Sequence, residues 1–145
     1  MSDELKPLKP LLDTKGAIDI KSITADKSLA FAVRIVALAK YLRDKKEFEL
    51  ASQIIKSGTS IGANIAEAQY AQSGKDFIAK MYIASKEAGE TRYWIKLLHA
   101  TKLITTKQFQ SLTQDINEIS KLIVSIIKTK EQNQKSETQN NNQRS

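Results

Sequence analysis

Cysteine is absent from the 145 residues, histidine and tryptophan occur once each, and only two prolines and five glycines interrupt the chain. Each scarcity removes a class of protein. Without cysteine there is no disulfide scaffold, thiolate metal site or cysteine nucleophile. A Ser-His-Asp or zinc-hydrolase chemistry would have to rest on His99 alone. So few turn-forming residues argue against a strand-and-turn architecture such as a β-sandwich. No apolar run approaches the roughly 20 residues of a membrane-spanning helix. Residues 1–13 mix acids, lysines and both prolines, and lack the apolar stretch of a signal peptide. A soluble, cytoplasmic protein without a membrane partner is expected.

What the chain does have is positive charge and helical period. Lys and Arg total 23 against 16 Asp and Glu, a formal net charge of +7, which favours anionic partners without naming one. Residues 27–100 alone hold twelve basic against seven acidic residues, so most of the excess belongs to the part of the chain expected to fold.

The length allows one domain with a modest core. Residues 1–25 contain Pro7, Pro10 and Gly16 and read as an extended arm with a short ordered piece around Ile18–Ile23. The tail at 131–145 is polar and low in complexity, cannot bury enough apolar surface to offset its ordering entropy, and is expected to be disordered. Residues 26–130 contain no proline and divide into four amphipathic helices. The first runs from about Lys27 to Arg43 with Asp26 as N-cap. The second runs from about Phe48 to Ala71, with Leu50, Ile54, Ile61, Ile65 and Ala68 in one stripe that keeps phase across Gly58 and Gly62. The third opens at Ser73, with Asp76 completing a capping box, and runs to about Ala100. The fourth opens at Thr105 or Thr106, and Phe109, Leu112, Ile116, Ile119, Ile123 and Ile126 form a heptad seam along it. Short connections make neighbours antiparallel, so the expected fold is an all-α, up-down-up-down four-helix bundle.

The third helix carries two apolar faces. Phe77, Met81, Ala84, Ala88, Thr91 and Ile95 serve the core. Ile78, Tyr82, Ser85, Gly89 and Tyr93 lie roughly 110° away. Small residues between aromatic ends suit a subunit interface, although one wide core face would present the same pattern.

The polar residues point away from catalysis. A carboxylate-bridged di-iron bundle needs Glu-x-x-His on two helices, and Glu87-x-x-Glu90 lacks the histidine. The stretch Gly58-Thr59-Ser60-Ile61-Gly62 lacks the lysine and the strand of a phosphate-binding loop. Ser60, Asn64 and Glu67 on the second helix, with Glu87, Glu90 and Arg92 on the third, are candidates for a structural network between helices. No enzyme activity, metal or cofactor is expected. The candidate nucleic-acid contacts are Lys40, Arg43, Lys45 and Lys46 at the first turn, with Lys75, Lys80 and Lys86 on the third helix. Such residues would hold phosphates with little sequence preference.

Two segments carry a family resemblance: residues 50–68, centred on Ser60-Ile61-x-x-Asn64-Ile65-Ala66-Glu67, and residues 75–94, which include Lys75-Asp76-Phe77-Ile78 and Lys86-Glu87-Ala88-Gly89-Glu90-Thr91-Arg92-Tyr93-Trp94. They resemble the four-helix-bundle proteins linked to 23S rRNA intervening sequences, over about Leu29 to Ile127. The resemblance implies an antiparallel bundle assembling as a ring, most often a homopentamer. It also implies kinship with the accessory variability protein of diversity-generating retroelements, a basic pentamer that binds nucleic acid and a reverse transcriptase. Many members have Pro-Ser where this chain has Gly62-Ala63. The resulting expectation is a non-enzymatic ring that binds RNA or DNA, with a protein-interaction scaffold, such as a reverse-transcriptase accessory subunit, as the alternative.

Overall fold

A computed structural model describes residues 19–144. Four helices follow one another: α1 (Ile20–Asp44), α2 (Phe48–Ala68), α3 (Gly74–Ala100) and α4 (Thr106–Arg144). They pack in sequence order around one core. The α1–α2 and α2–α3 contacts are the most extensive, and α4 returns to close on α1. This is the up-down-up-down bundle the spacing predicts.

Its boundaries differ from expectation at both ends. The first helix begins at Ile20, because Asp19 rather than Asp26 caps it: the Asp19 carboxylate accepts from the backbone N–H of Lys21 at 3.0 Å and of Ser22 at 3.3 Å. The added turn buries Ile23 and Thr24, so residues 20–25 belong to the bundle. The remainder of the expected arm, residues 1–18, lies outside the described residues. At the other end, residues 131–144, expected to be disordered, continue α4 as helix. Extending a formed helix requires no new nucleus, and Glu, Gln and Lys are good helix formers. The first turn of that extension is also tied down, since the Tyr82 hydroxyl donates to the Glu131 carboxylate at 3.0 Å. The composition argument holds in one respect: residues 135–144 are all exposed.

The core follows the heptad seam and the α2 stripe. Ile54, Ile61, Ile65, Ile116, Ile119 and Ile123 are all at most 1% exposed. On α1, Phe31, Ile35, Leu38 and Leu42 face inward, whereas Leu29 and Val33 are 63% and 41% exposed. The two α2 glycines mark a close approach of α1. A Cβ on Gly58 would stand 2.8 Å from both Cγ1 and Cγ2 of Ile35, and one on Gly62 would stand 3.3 Å from Ser28 Oγ. That closeness is why α2 tolerates glycine mid-helix, at about 1 kcal/mol each relative to alanine.

Two polar links fix register inside this apolar frame. Arg34 of α1, 3% exposed, forms an ion pair with Asp115 of α4 and donates to Ser111 Oγ at 2.9 Å. Between α2 and α3, the buried hydroxyls of Ser57 and Thr91 share a hydrogen bond of 2.9 Å.

Candidate nucleic-acid interface

Up-down-up-down order brings the C-termini of α1 and α3 and the N-termini of α2 and α4 to one end of the bundle. Both turns there are built alike. The N–H of Lys46 bonds to the Arg43 carbonyl and that of Glu47 to the Leu42 carbonyl. In the second turn, Lys102 bonds to His99 and Leu103 to Leu98. Each pair is a Schellman motif, which needs a left-handed residue just past the helix and usually takes glycine there. Here both positions hold lysine, Lys46 and Lys102, each with φ of 63°.

The cations expected at the first turn therefore gain company. Lys40, Arg43, Lys45 and Lys46 are all exposed, and Lys102 and Lys107 of the second turn are exposed at the same end. Asp44, Glu47 and Glu49 are the acids among them, so the end stays cationic. Aromatic surface accompanies the charge. Tyr41 is 42% and Phe48 59% exposed, and the Lys45 ammonium lies 5.7 Å from the Tyr41 ring centroid. Beside Tyr41, His99 stacks on Phe109 with centroids 4.2 Å apart and planes 8° from parallel. Its Nε2 is 3.1 Å from Thr106 Oγ1. An open groove runs past Tyr41, His99, Lys102 and Thr106. Flexible cations and exposed aromatic rings thus share one end of the bundle.

The three other lysine candidates do not join this end. Lys80 is held by Glu67 at 3.1 Å, Lys75 starts α3 at the opposite end, and Lys86 stands mid-helix on the outer side of α3. Lys102 and Lys107 were missed because nothing in the local sequence ties them to the first turn; only the topology does.

The six residues expected to form a polar network are dispersed. Ser60 donates to the Lys56 carbonyl at 2.6 Å and Asn64 to the Ser60 carbonyl at 2.8 Å, both within α2. Glu67 pairs with Lys80, and Glu90 accepts from Trp94 Nε1 at 3.4 Å. The half-buried Glu87 gives its backbone carbonyl to the Thr91 hydroxyl. Arg92 turns the other way and bonds Asn117 at 3.1 Å and Ser120 at 3.0 Å on α4. At 100° per residue Arg92 lies well over 90° from both Glu87 and Glu90, which is why one helix cannot bring these groups together. Of the second α3 face, Tyr82, Gly89 and Tyr93 are exposed while Ile78 and Ser85 are half-buried.

Among the described residues no helix is long and apolar enough to cross a membrane. The chain is thus an all-α, antiparallel four-helix-bundle protein with a cationic, aromatic-bearing turn end. It belongs to the 23S rRNA-intervening sequence protein family, whose model matches residues 21–125. A solved structure of similar fold is a protein of unknown function from the S23 ribosomal protein family of Bacteroides thetaiotaomicron VPI-5482. The two are 55% identical, the match covers 76% of this chain and 99% of that one, and the TM-score is 0.74. Comparison with curated proteins yields no match.

Proposed function

We propose that this protein is a non-enzymatic, ring-forming nucleic-acid-binding protein that takes RNA on the turn end of its bundle. The observation that carries the reading is the convergence of two turns, each placing a lysine in the left-handed position, with exposed Tyr41 and Phe48 between further cations. Backbone conformations that cost energy and persist on a surface direct attention to function. Phosphate contacts supply the affinity and the rings accept unstacked bases, so sequence preference is weak. In a ring, symmetry repeats the cationic end around the axis and multiplies its potential.

A salt titration of binding to an RNA hairpin tests this. Affinity should fall linearly on a log–log plot against salt, with a slope near −0.7 to −0.9 per phosphate contacted. Absence of binding at low salt, or binding indifferent to salt, overturns it. The alternative of a scaffold for a reverse transcriptase or another protein makes a different prediction: a complex that survives nuclease treatment and is indifferent to loss of the turn lysines.

A further inference from the structure

At the end of the bundle opposite the two lysine turns, the starts of α1 and α3 and the middle of α4 surround a cavity of about 200 Å³. Phe77, in the first turn of α3 and 7% exposed, forms its floor. Two cations rest on that one ring: the Lys21 ammonium from α1, 5.0 Å from the centroid, and the Lys130 ammonium from α4, at 5.6 Å. Ile126 of α4 continues the apolar floor. Ser125, Thr129 and Asn133, spaced four apart and so on one strip of α4, add hydroxyl and amide groups to the lining. Among the described residues neither lysine forms an ion pair. The acids beside them in sequence are engaged: Asp19 accepts from the N–H groups of Lys21 and Ser22 and from the Ser22 hydroxyl, and Glu131 accepts from Tyr82. Asp76 adjoins Phe77 in the chain but does not line the cavity. Two like charges on one ring repel, so an anion that reaches both is stabilised by both. The family model ends at residue 125, and Thr129, Lys130 and Asn133 lie beyond it, on the long last helix of this chain.

We infer that this cavity binds a small organic anion, a carboxylate or phosphate group carried on a single aromatic ring. The head group sits between Lys21 and Lys130, with the Thr129 hydroxyl and the Asn133 amide as further donors. The ring rests on Phe77 and Ile126, an apolar floor with a few polar groups at its edge, which is the usual make-up of a small-molecule site. The volume equals that of about seven waters in the liquid, which suits one ring with its head group and not a whole nucleotide. A bare phosphate would use the cations and leave the floor wet. A neutral ring would use the floor and leave the cations unanswered.

Saturation-transfer NMR and calorimetry on the full chain, with benzoate and phenyl phosphate as probes, test this. At least one of the two should bind with a dissociation constant of about 1 mM or below. Benzyl alcohol and inorganic phosphate, each lacking one half of the recognised chemistry, should bind at least about tenfold more weakly. Lys21→Met and Lys130→Met keep an apolar stem over Phe77 and remove only the ammonium, and each should weaken the probe about tenfold. Ser125→Leu narrows the cavity without touching a charge and should also weaken the probe, which keeps the test open if a methionine variant folds poorly. Three results overturn the inference: no saturation transfer to either ring-bearing anion, equal affinity for phenyl phosphate and inorganic phosphate, or affinity unchanged in well-folded Lys21→Met and Lys130→Met.

Discussion

Replacing Lys46 and Lys102 by glycine separates stability from function at the turn end. Both residues hold φ of 63°, a left-handed conformation that costs an L-residue with a Cβ about 1–2 kcal/mol. Glycine removes that cost but loses more backbone entropy on folding, by about 0.5–1 kcal/mol. The net gain is therefore about 0.5–1 kcal/mol per turn, and the two separate turns should add. Chemical denaturation of the double variant should show about 1–2 kcal/mol of added stability, with a Tm raised by roughly 3–8 °C for a chain of this size. RNA affinity should move the other way. Each lysine that contacts a phosphate takes about one unit from the salt slope when it is lost. Lys75→Gln and Lys135→Gln, at the opposite end, should leave the slope unchanged. A more stable double variant with unaltered RNA affinity would remove both lysines from the interface. A double variant no more stable than the parent would refute the argument that lysine is strained there.

Other substitutions test the packing. Gly58→Ala should destabilise by about 1–3 kcal/mol, because its Cβ would stand 2.8 Å from two carbons of the buried Ile35; Gly89→Ala, with open space around it, should raise subunit stability by up to about 1 kcal/mol. Urea unfolding of the two variants distinguishes the sites. Asp115→Ala leaves the buried Arg34 guanidinium without its counter-ion and should cost about 3–5 kcal/mol in the same assay. The hydroxyl and backbone N–H of Ser22, with the N–H of Lys21, hold the Asp19 carboxyl below its ordinary value of 3.8. Its contribution is therefore present above that value and is lost as pH falls through the lower folded-state value. Amide exchange in the first turn of α1 should accelerate in that acidic window, and Asp19→Asn should flatten the dependence.

The fold was legible because local signals agreed with one another. The isoleucine seam from Ile116 to Ile126, the unbroken phase of Ile54, Ile61 and Ile65, and the reciprocal bonds of Thr105 and Gln108 (2.9 and 3.1 Å) all specify helices of set length and facing. The α1 start was misplaced because Asp19 and Asp26 are equally good N-cap residue types, and what decides between them is tertiary: the extra turn begun by Asp19 buries Ile23 and Thr24. The end of α4 was misplaced because composition reports on burial, and an exposed helix can extend without it. The turn cluster was half legible. Lys40 to Lys46 are neighbours in sequence, but Lys102 and Lys107 join them only through the antiparallel topology. The polar network failed on helical phase. The Arg34–Asp115 ion pair, 81 residues apart in sequence, has no local signature at all.

Photo-crosslinking of a 4-thiouridine-substituted RNA hairpin to the protein, read out by mass spectrometry, addresses the central claim most directly. Crosslinks should fall on the turn end, on peptides containing Tyr41, Phe48 and Lys102, and should vanish when Lys40, Arg43, Lys45 and Lys46 are replaced together by glutamate. Crosslinks confined to the Tyr82–Tyr93 face, or unchanged in the charge-reversed protein, would contradict the account.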